Sequence, residues 1–168
     1  VEKNTVATLQ NIQNHYPTIA LTSRGFSSMA ATERQLLHND MNLNKNPIGD
    51  HQVNPYFLAQ NKYKDDLKMY YNGIYYAAGE SKGESFLNLV EYYRQKQGNP
   101  NLCKVVVILD DTESKIDDMI KHIKGKLGYV AIVYNALPIA TDPGNWSSML
   151  WSSQNQQLFD VVTSLNKI

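Results

Sequence analysis

Two sets of polar residues in the first half of the chain have side chains that suit a phosphate group. Thr22, Ser23 and Arg24 directly follow a short apolar run, and Lys82 lies at the start of a predicted helix. A hydroxyl group and nearby backbone N–H groups can hold phosphate oxygens, and a lysine can stabilise a developing oxyanion. The planar guanidinium of Arg24 suits a phosphate or a carboxylate. Each residue also has an ordinary interpretation, as a turn residue, a helix cap or a solvated side chain.

A third set, Asp110 and Asp111, follows the apolar run at residues 105–109. Adjacent carboxylates supply the oxygen ligands that Mg²⁺ prefers, with water and a substrate phosphate completing the coordination shell. They can also simply cap the helix that follows. Ligands bind at the carboxyl ends of strands in open parallel sheets, so the three sets are expected to converge on a phosphoryl-transfer site. Acyl transfer does not fit, because there is no G-x-S-x-G elbow and the four histidines lack triad or metal-ligand spacing.

The composition limits the class of protein and its partners. The 168 residues suffice for one compact domain, and 42% of them are hydrophobic, as in ordinary globular proteins. The 16 basic and 16 acidic residues balance, which argues against a nucleic-acid or membrane partner. The single cysteine, Cys103, excludes an intramolecular disulfide and a cysteine-rich zinc site. No apolar run approaches the ~20 residues of a membrane span.

Helical and extended patterns alternate along the chain, which predicts an α/β domain with parallel strands. In the first half the predicted elements are a helix at residues 5–16, a strand at 18–22, a helix at 28–39 and an irregular loop at 42–54. Asn72 and Gly73 then separate two tyrosine-rich runs. This dipeptide predicts a β-hairpin, because both central residues of the favoured turn need a positive φ.

The second half shows clearer patterns. Residues 81–84 (Ser-Lys-Gly-Glu) form a capping box, which predicts that a helix begins there. The further predicted elements are a strand at 104–109, an amphipathic helix from about 116 to near 128, a strand at 129–134 and short helices near 146–151 and 156–165.

The order of these motifs resembles that of the haloacid-dehalogenase-like (HAD) phosphohydrolases. Residues 22–25 (Thr-Ser-Arg-Gly) resemble the second motif of the family, and the strand at 73–76 that leads to Lys82 resembles the third. Residues 109–112 (Leu-Asp-Asp-Thr) resemble the fourth. The resemblance spans roughly residues 5–135. Within the family, the chain is most similar to a poorly characterised bacterial branch. This resemblance implies a Rossmann-like three-layer core with a parallel sheet and a minimal cap.

The resemblance also implies a role for each matching residue. Thr22 and Lys82 would be the catalytic residues, since Thr22 would bind the phosphoryl group and Lys82 would stabilise it together with the nucleophile. Asp111 would be the main Mg²⁺ ligand, with Asp110 as a second ligand or an outer support. The two further residues of the second motif, Ser23 and Arg24, would lie near the substrate and influence specificity.

One part of the family pattern has no counterpart in the sequence. The first motif, D-x-D-x-T/V after an apolar strand, carries the nucleophilic aspartate, and it is expected just upstream of Val1. In the family this motif lies on a central strand, between the strands of the second and fourth motifs. The 168 residues therefore predict a single truncated domain, with a small insertion around 42–72. The gap could be filled by a separate or upstream segment, which we favour, by a second copy of the chain, or by direct pairing of the flanking strands.

The leading hypothesis from the sequence is a Mg²⁺-dependent phosphatase that hydrolyses phosphomonoesters through an aspartyl-phosphate in the full-length protein. The 168-residue chain by itself is then expected to be inactive, because it lacks the nucleophile. The alternative is a non-catalytic HAD-like module that binds phosphorylated ligands or protein partners. The sequence does not indicate the substrate or the cellular compartment.

Overall fold

The computed structural model describes residues 4–49 and 66–133, together with the backbone of residues 56–60, and it has a mixed α/β architecture. The described helices are α1 (Thr5–His15), α2 (Met29–His38), α3 (Lys82–Gln97) and α4 (Glu113–Ile123), and a short 3-10 helix lies at Phe26–Ser28. None of the helices in these ranges is long and apolar enough to cross a membrane.

The first sheet has four strands and mixed strand directions. Its strands are β1 (Ala20–Thr22), β2 (Tyr56–Gln60), β3 (Leu67–Tyr71) and β4 (Ile74–Tyr76), in the spatial order β1-β4-β3-β2. β1 is parallel to β4, whereas β3 is antiparallel to both β4 and β2. The expectation of a parallel sheet is therefore correct for β1 and β4 but wrong for β2 and β3, because hairpin pairing is necessarily antiparallel.

The β3–β4 hairpin confirms the prediction made from its turn residues. Asn72 and Gly73 have φ angles of 50° and 75°, which are the positive values that a two-residue hairpin turn requires. Gly73 also meets a steric limit, since a Cβ atom there would lie 2.1 Å from the carbonyl oxygen of Leu43. The hairpin therefore depends on glycine at this position for two independent reasons.

The second sheet consists of β5 (Val105–Asp110) and β6 (Gly128–Val133), which pair in parallel and are connected by α4. The parallel register runs without a shift from the Val105–Gly128 pair to the Asp110–Val133 pair. The long helix α3 precedes β5 and connects the two sheets along the chain. Both strands and both helices were predicted, with boundaries shifted by one to a few residues.

Two apolar clusters cover opposite faces of the first sheet. Successive residues of a strand pack alternately into the two clusters. Tyr75 therefore lies in one cluster, while Ile74 and Tyr76 lie in the other. The larger cluster also contains buried residues of α3, β5 and α4, which are Phe86, Leu89, Val90, Tyr93, Ile108, Ile116, Met119 and Ile123. The smaller cluster is covered by Leu9 of α1 and Leu36 of α2. The tyrosine-rich hairpin is thus mainly a packing element.

No hydrogen-bond ladder joins the two sheets within the described residues. Among the strands that the structure describes, β1 lies at the end of its sheet and β5 pairs with β6 alone. Leu21 of β1 and Val106 of β5 nevertheless pack against the same apolar cluster. The structure therefore has two strand edges beside one shared core, and the flanking strands have not closed up by pairing directly. We refer to the space between β1 and β5 as the strand gap.

Several local predictions differ from the observed structure. The first strand begins at Ala20 rather than Thr18, which instead forms an isolated bridge with Pro47. The amphipathic helix ends at Ile123, and turns lead from there to β6. The sequence did not predict β2, which lies with β3 in the region expected to hold a small insertion. The helices predicted near 146–151 and 156–165 lie outside the described residues.

Truncation of Leu89 tests whether α3 holds the shared core together. Its side chain is 0% exposed in the larger cluster, whereas Leu37 on α2 is 71% exposed. We expect Leu89→Ala to lower the free energy of unfolding by about 2–5 kcal/mol, through lost apolar burial and the resulting cavity. The matched control Leu37→Ala should change it by no more than about 0.5 kcal/mol. Urea denaturation measures both, and equal effects would contradict this assignment of the core.

Candidate functional site

The centre of the candidate site is an ion pair between the start of α3 and the end of β5. Nζ of Lys82, the first residue of α3, lies 2.8 Å from Oδ2 of Asp110, the last residue of β5. The two side chains are only 15% and 16% exposed. The structure therefore brings together two of the residues that the sequence selected, 28 positions apart in the chain.

The carboxylate of Asp110 has a second donor on its other oxygen. Its Oδ1 accepts a hydrogen bond of 3.0 Å from the backbone N–H of Thr112, which precedes α4. Burial by itself would raise the pKa of the Asp110 carboxyl. The hydrogen bonds from Lys82 and Thr112, together with the charge of Lys82, outweigh burial and hold this pKa below its usual range. Asp110 is therefore a fixed anion at the end of β5.

Asp111 is more open than its neighbour. Its side chain is exposed, and its Oδ1 accepts a hydrogen bond of 3.2 Å from the hydroxyl of Thr112. The adjacent carboxylates of Asp110 and Asp111 are hard oxygen donors, of the chemistry that suits Mg²⁺. Among the described residues, no group of three or more His, Cys, Asp or Glu side chains could hold a metal ion. These two carboxylates therefore fit Mg²⁺ only with water and phosphate oxygens, or a further carboxylate, as additional ligands.

The loop that contains Thr22 is fastened to the loop that leads to Lys82. The carbonyl oxygens of residues 22, 23 and 24 accept hydrogen bonds from the backbone N–H groups of residues 77, 79 and 78, at 2.9, 2.8 and 3.1 Å. The hydroxyl oxygen of Thr22 accepts a bond of 3.2 Å from the N–H of Arg24. The hydroxyl proton of Thr22 is therefore not used in that bond, and it can be donated to a ligand. Ser23 is exposed beside it.

Arg24 is directed to a different part of the molecule. Its Nη1 donates to the hydroxyl of Thr32 and to the side-chain oxygen of Gln35, both at 2.9 Å and both on α2. Within the described ranges, the hydrogen bonds of this guanidinium go to α2 and not to the Lys82–Asp110 pair. The structure therefore does not bring Arg24 to the centre of the candidate site.

Asp118 of α4 is a site residue that sequence reasoning missed. Its carboxylate accepts a hydrogen bond from the hydroxyl of Ser81, 2.9 Å from each oxygen, and another from the N–H of Gly83 at 3.1 Å. Ser81 and Gly83 flank Lys82 in the chain. The sequence shows only an Asp117-Asp118 pair on a helix, and nothing in it signals that one carboxylate reaches the start of another helix.

The contact between α3 and α4 is unusually close at Gly83. A Cβ atom there would lie 2.4 Å from the carbonyl oxygen of Asp118 and 2.9 Å from Cα of Met119, both of which belong to the α4 backbone. Only glycine allows this approach without a shift of one helix. Nδ1 of His122, which also belongs to α4, lies 2.8 Å from the same carbonyl oxygen.

The described residues form a mixed α/β domain with a cation–carboxylate site where α3 begins and β5 ends. The chain belongs to a protein family of unknown function, DUF2608, whose family model matches residues 1–152. No curated protein and no solved structure matches the chain. The family assignment therefore gives no activity, and the function has to be inferred from the site.

The contacts of Asp118 predict how stability depends on pH. Burial would raise the pKa of this carboxyl, but the donors of Gly83 and Ser81 and the charge of His122 outweigh it and lower the pKa. A lowered pKa in the folded state gives stability that is present above the unfolded value, ~3.9, and is lost as pH falls through the folded value. Asp118→Asn should therefore be less stable than the wild type at pH 7, by roughly 1–2 kcal/mol.

This difference between the wild type and Asp118→Asn should shrink as pH falls below about 4. Denaturant melts between pH 7 and pH 3 measure it. The control is Asp117→Asn, because Asp117 is the exposed neighbour on the same helix, and its stability should follow that of the wild type. A difference that stays constant across this range would show that the charge of Asp118 has no part in the effect.

Proposed function

We propose that this chain is the body of a Mg²⁺-dependent phosphatase of the HAD type. The reaction is hydrolysis of a phosphomonoester through an aspartyl-phosphate, and the nucleophilic carboxylate comes from outside the described residues. The observation that carries the proposal is the Lys82–Asp110 ion pair of 2.8 Å, beside Asp111 at the carboxyl end of β5. A half-buried cation and two adjacent carboxylates are what a bound phosphoryl group with its divalent cation requires.

In this proposal Lys82 binds and stabilises the phosphoryl oxygens. A lysine cation placed where negative charge develops in the transition state lowers the barrier, because it needs no reorganisation at the moment of reaction. Thr22 donates its hydroxyl proton to a second phosphoryl oxygen. The backbone bonds between the loops after β1 and β4 support this role, since they fasten Thr22 to Ala77, five residues before Lys82 in the chain.

Asp111 and Asp110 would hold Mg²⁺, and when bound this ion neutralises charge on the phosphoryl group. Asp111 is the better candidate for direct contact, because its side chain is exposed and its hydrogen bond from the Thr112 hydroxyl is long, at 3.2 Å. Asp110 is held by Lys82 and by Thr112, so it suits an outer support.

The strand gap supports the assignment of a missing nucleophile. In this proposal a further strand enters the gap parallel to β1 and β5, pairs with the edges of both, and has its carboxyl end beside Thr22 and Asp110. A carboxylate at that end would attack phosphorus and release the alcohol, and water would then hydrolyse the aspartyl-phosphate. In this arrangement the nucleophile, Lys82 and the Thr22 hydroxyl would act on one bound phosphoryl group.

A second candidate function is binding of a phosphorylated ligand or protein without catalysis. The observation that favours it is the Lys82–Asp110 pair itself, because the ammonium group of Lys82 is held in place by Asp110 and has two further N–H donors that can bind an anion without any reaction. The two candidates differ in turnover. Binding of phosphate that depends on Lys82, without hydrolysis by the product of the complete gene, would favour the non-catalytic module.

Activity assays test the proposed phosphatase. We expect the product of the complete gene to hydrolyse para-nitrophenyl phosphate only with Mg²⁺ present, whereas the 168-residue chain by itself should show no turnover. Lys82→Met in the complete protein should lower kcat/KM by about 10²–10³-fold, as loss of a transition-state donor typically does. Asp111→Asn should raise the Mg²⁺ concentration needed for half-maximal activity.

The control for the lysine is Lys96→Met, because Lys96 is an exposed cation near the other end of α3 and its loss should leave kcat/KM unchanged. Mg²⁺-dependent turnover by the 168-residue chain would contradict the assignment of the nucleophile. Absence of turnover from the complete protein across a panel of phosphomonoesters would contradict the phosphatase itself.

A further inference from the structure

The two residues on either side of Lys82 are held by one carboxylate from another helix. Asp118 accepts the Ser81 hydroxyl at 2.9 Å and the Gly83 N–H at 3.1 Å. Lys82 itself lies between these two contacts, with its side chain extended to Asp110. The backbone of Lys82 is thus tied to α4 on both sides, 35 and 37 residues away along the chain.

A helix cap alone does not explain this arrangement. α3 already has a cap of its own, because the Ser81 oxygen accepts a hydrogen bond of 3.0 Å from the N–H of Glu84. That local bond satisfies an end group of the helix without fixing the helix in space. The bonds from Asp118 add a constraint on position, since they join the first turn of α3 to a particular turn of α4. The close approach of α3 and α4 at Gly83 adds a steric constraint at the same point.

α4 also begins shortly after Asp110, the carboxylate that binds Lys82. Asp110 ends β5, Thr112 precedes α4, and Asp118 lies further along the same helix. The contacts therefore form a closed ring: the backbone beside Lys82 binds Asp118, α4 leads back to Asp110, and Asp110 binds the Lys82 ammonium. A lysine side chain is long and flexible, so the placement of its backbone decides whether Nζ remains on its partner.

From this ring we infer that Asp118 is a positioning residue for Lys82, which holds the start of α3 so that the ammonium group stays at the carboxyl end of β5. The inference rests on the proposed function only for what Lys82 then does, which is to bind a phosphoryl group. Among the described contacts, Asp118 touches neither the carboxylate of Asp110 nor that of Asp111. Its effect on the site passes through Lys82.

A double-mutant cycle on the 168-residue chain tests the inference without any activity. The variants are Asp118→Ala, Lys82→Met and the two combined, and the readout is the equilibrium constant of unfolding from denaturant melts. If Asp118 positions Lys82, the Lys82→Met change should matter less once Asp118 is gone, and the combined effect should depart from the product of the single effects by at least about threefold. A cap that merely stabilises the helix would give independent effects.

Arg94→Met combined with Asp118→Ala is the matched control. Arg94 is a cation of α3 with 16% exposure, close to that of Lys82, and it forms an ion pair of 2.9 Å with Glu91 near the opposite end of the helix. Its combination with Asp118→Ala should be multiplicative within about twofold. If Asp118→Ala does not fold, Asp118→Asn takes its place in both cycles. The amide oxygen of this variant can still accept one of the two hydrogen bonds. Part of the coupling to Lys82 should therefore be retained.

Binding of inorganic phosphate in the presence of Mg²⁺ separates this inference from the proposed function. We expect Asp118→Ala and Lys82→Met each to weaken phosphate binding by about tenfold, and the combination to be little worse than either, as measured by calorimetry. Coupling in unfolding without phosphate binding by the wild type would support the positioning role and overturn the phosphate role of Lys82. Independent effects in the Lys82 cycle would overturn the positioning role, even if phosphate binds.

Discussion

The packing of α3 between two separate sheets is the interaction on which the rest of the described structure depends. In the described part of the chain the sheets share no ladder and the second sheet has two strands, and a two-stranded sheet has little stability without a packed partner. Phe86, Leu89 and Val90 of α3 lie in one apolar cluster with Tyr75 of the first sheet and Ile108 of the second. The helix therefore packs with strands of both sheets in one core. It also carries Lys82 at its first position, so the same packing places the candidate site.

The strand gap has an energetic consequence for the protein. A backbone N–H or C=O group that is buried without a partner costs about 1–3 kcal/mol, so the edges of β1 and β5 must face water or pair with another strand. The exposure of Val105 and Leu109, at 49% and 48%, shows that β5 retains open apolar surface in the described structure. Open edges and apolar surface favour association with another strand. The two needs, for edge pairing and for a nucleophile, are met by one inserted strand in the proposed function.

Local sequence signals predicted most of the elements but few of the contacts between them. The capping box at Ser81 and the Asn72-Gly73 turn were confirmed, because each depends on a few neighbouring residues. β2 was missed, since its strand pairing rather than a strong local pattern defines it. The partners of Arg24 and Asp118 could not be predicted for the same reason, because both belong to other helices. The contact between Lys82 and Asp110 was expected only because the order of the motifs assigned both residues to the same edge of an assumed sheet.

The Lys82–Asp110 pair is more informative about function than about stability. Burial of two charges has a desolvation cost that their attraction roughly offsets, so such a pair contributes little net stability compared with apolar side chains. Stability therefore does not explain why a lysine opens α3 just where β5 ends. A carboxylate and an ammonium group with only 15–16% exposure, next to the open carboxylate of Asp111, form a charged site that apolar packing does not require. Charged groups held at the ends of elements against this cost are characteristic of sites that bind charged ligands. This energetic argument supports a charged ligand at this site, independently of the motif order from which the hypothesis began.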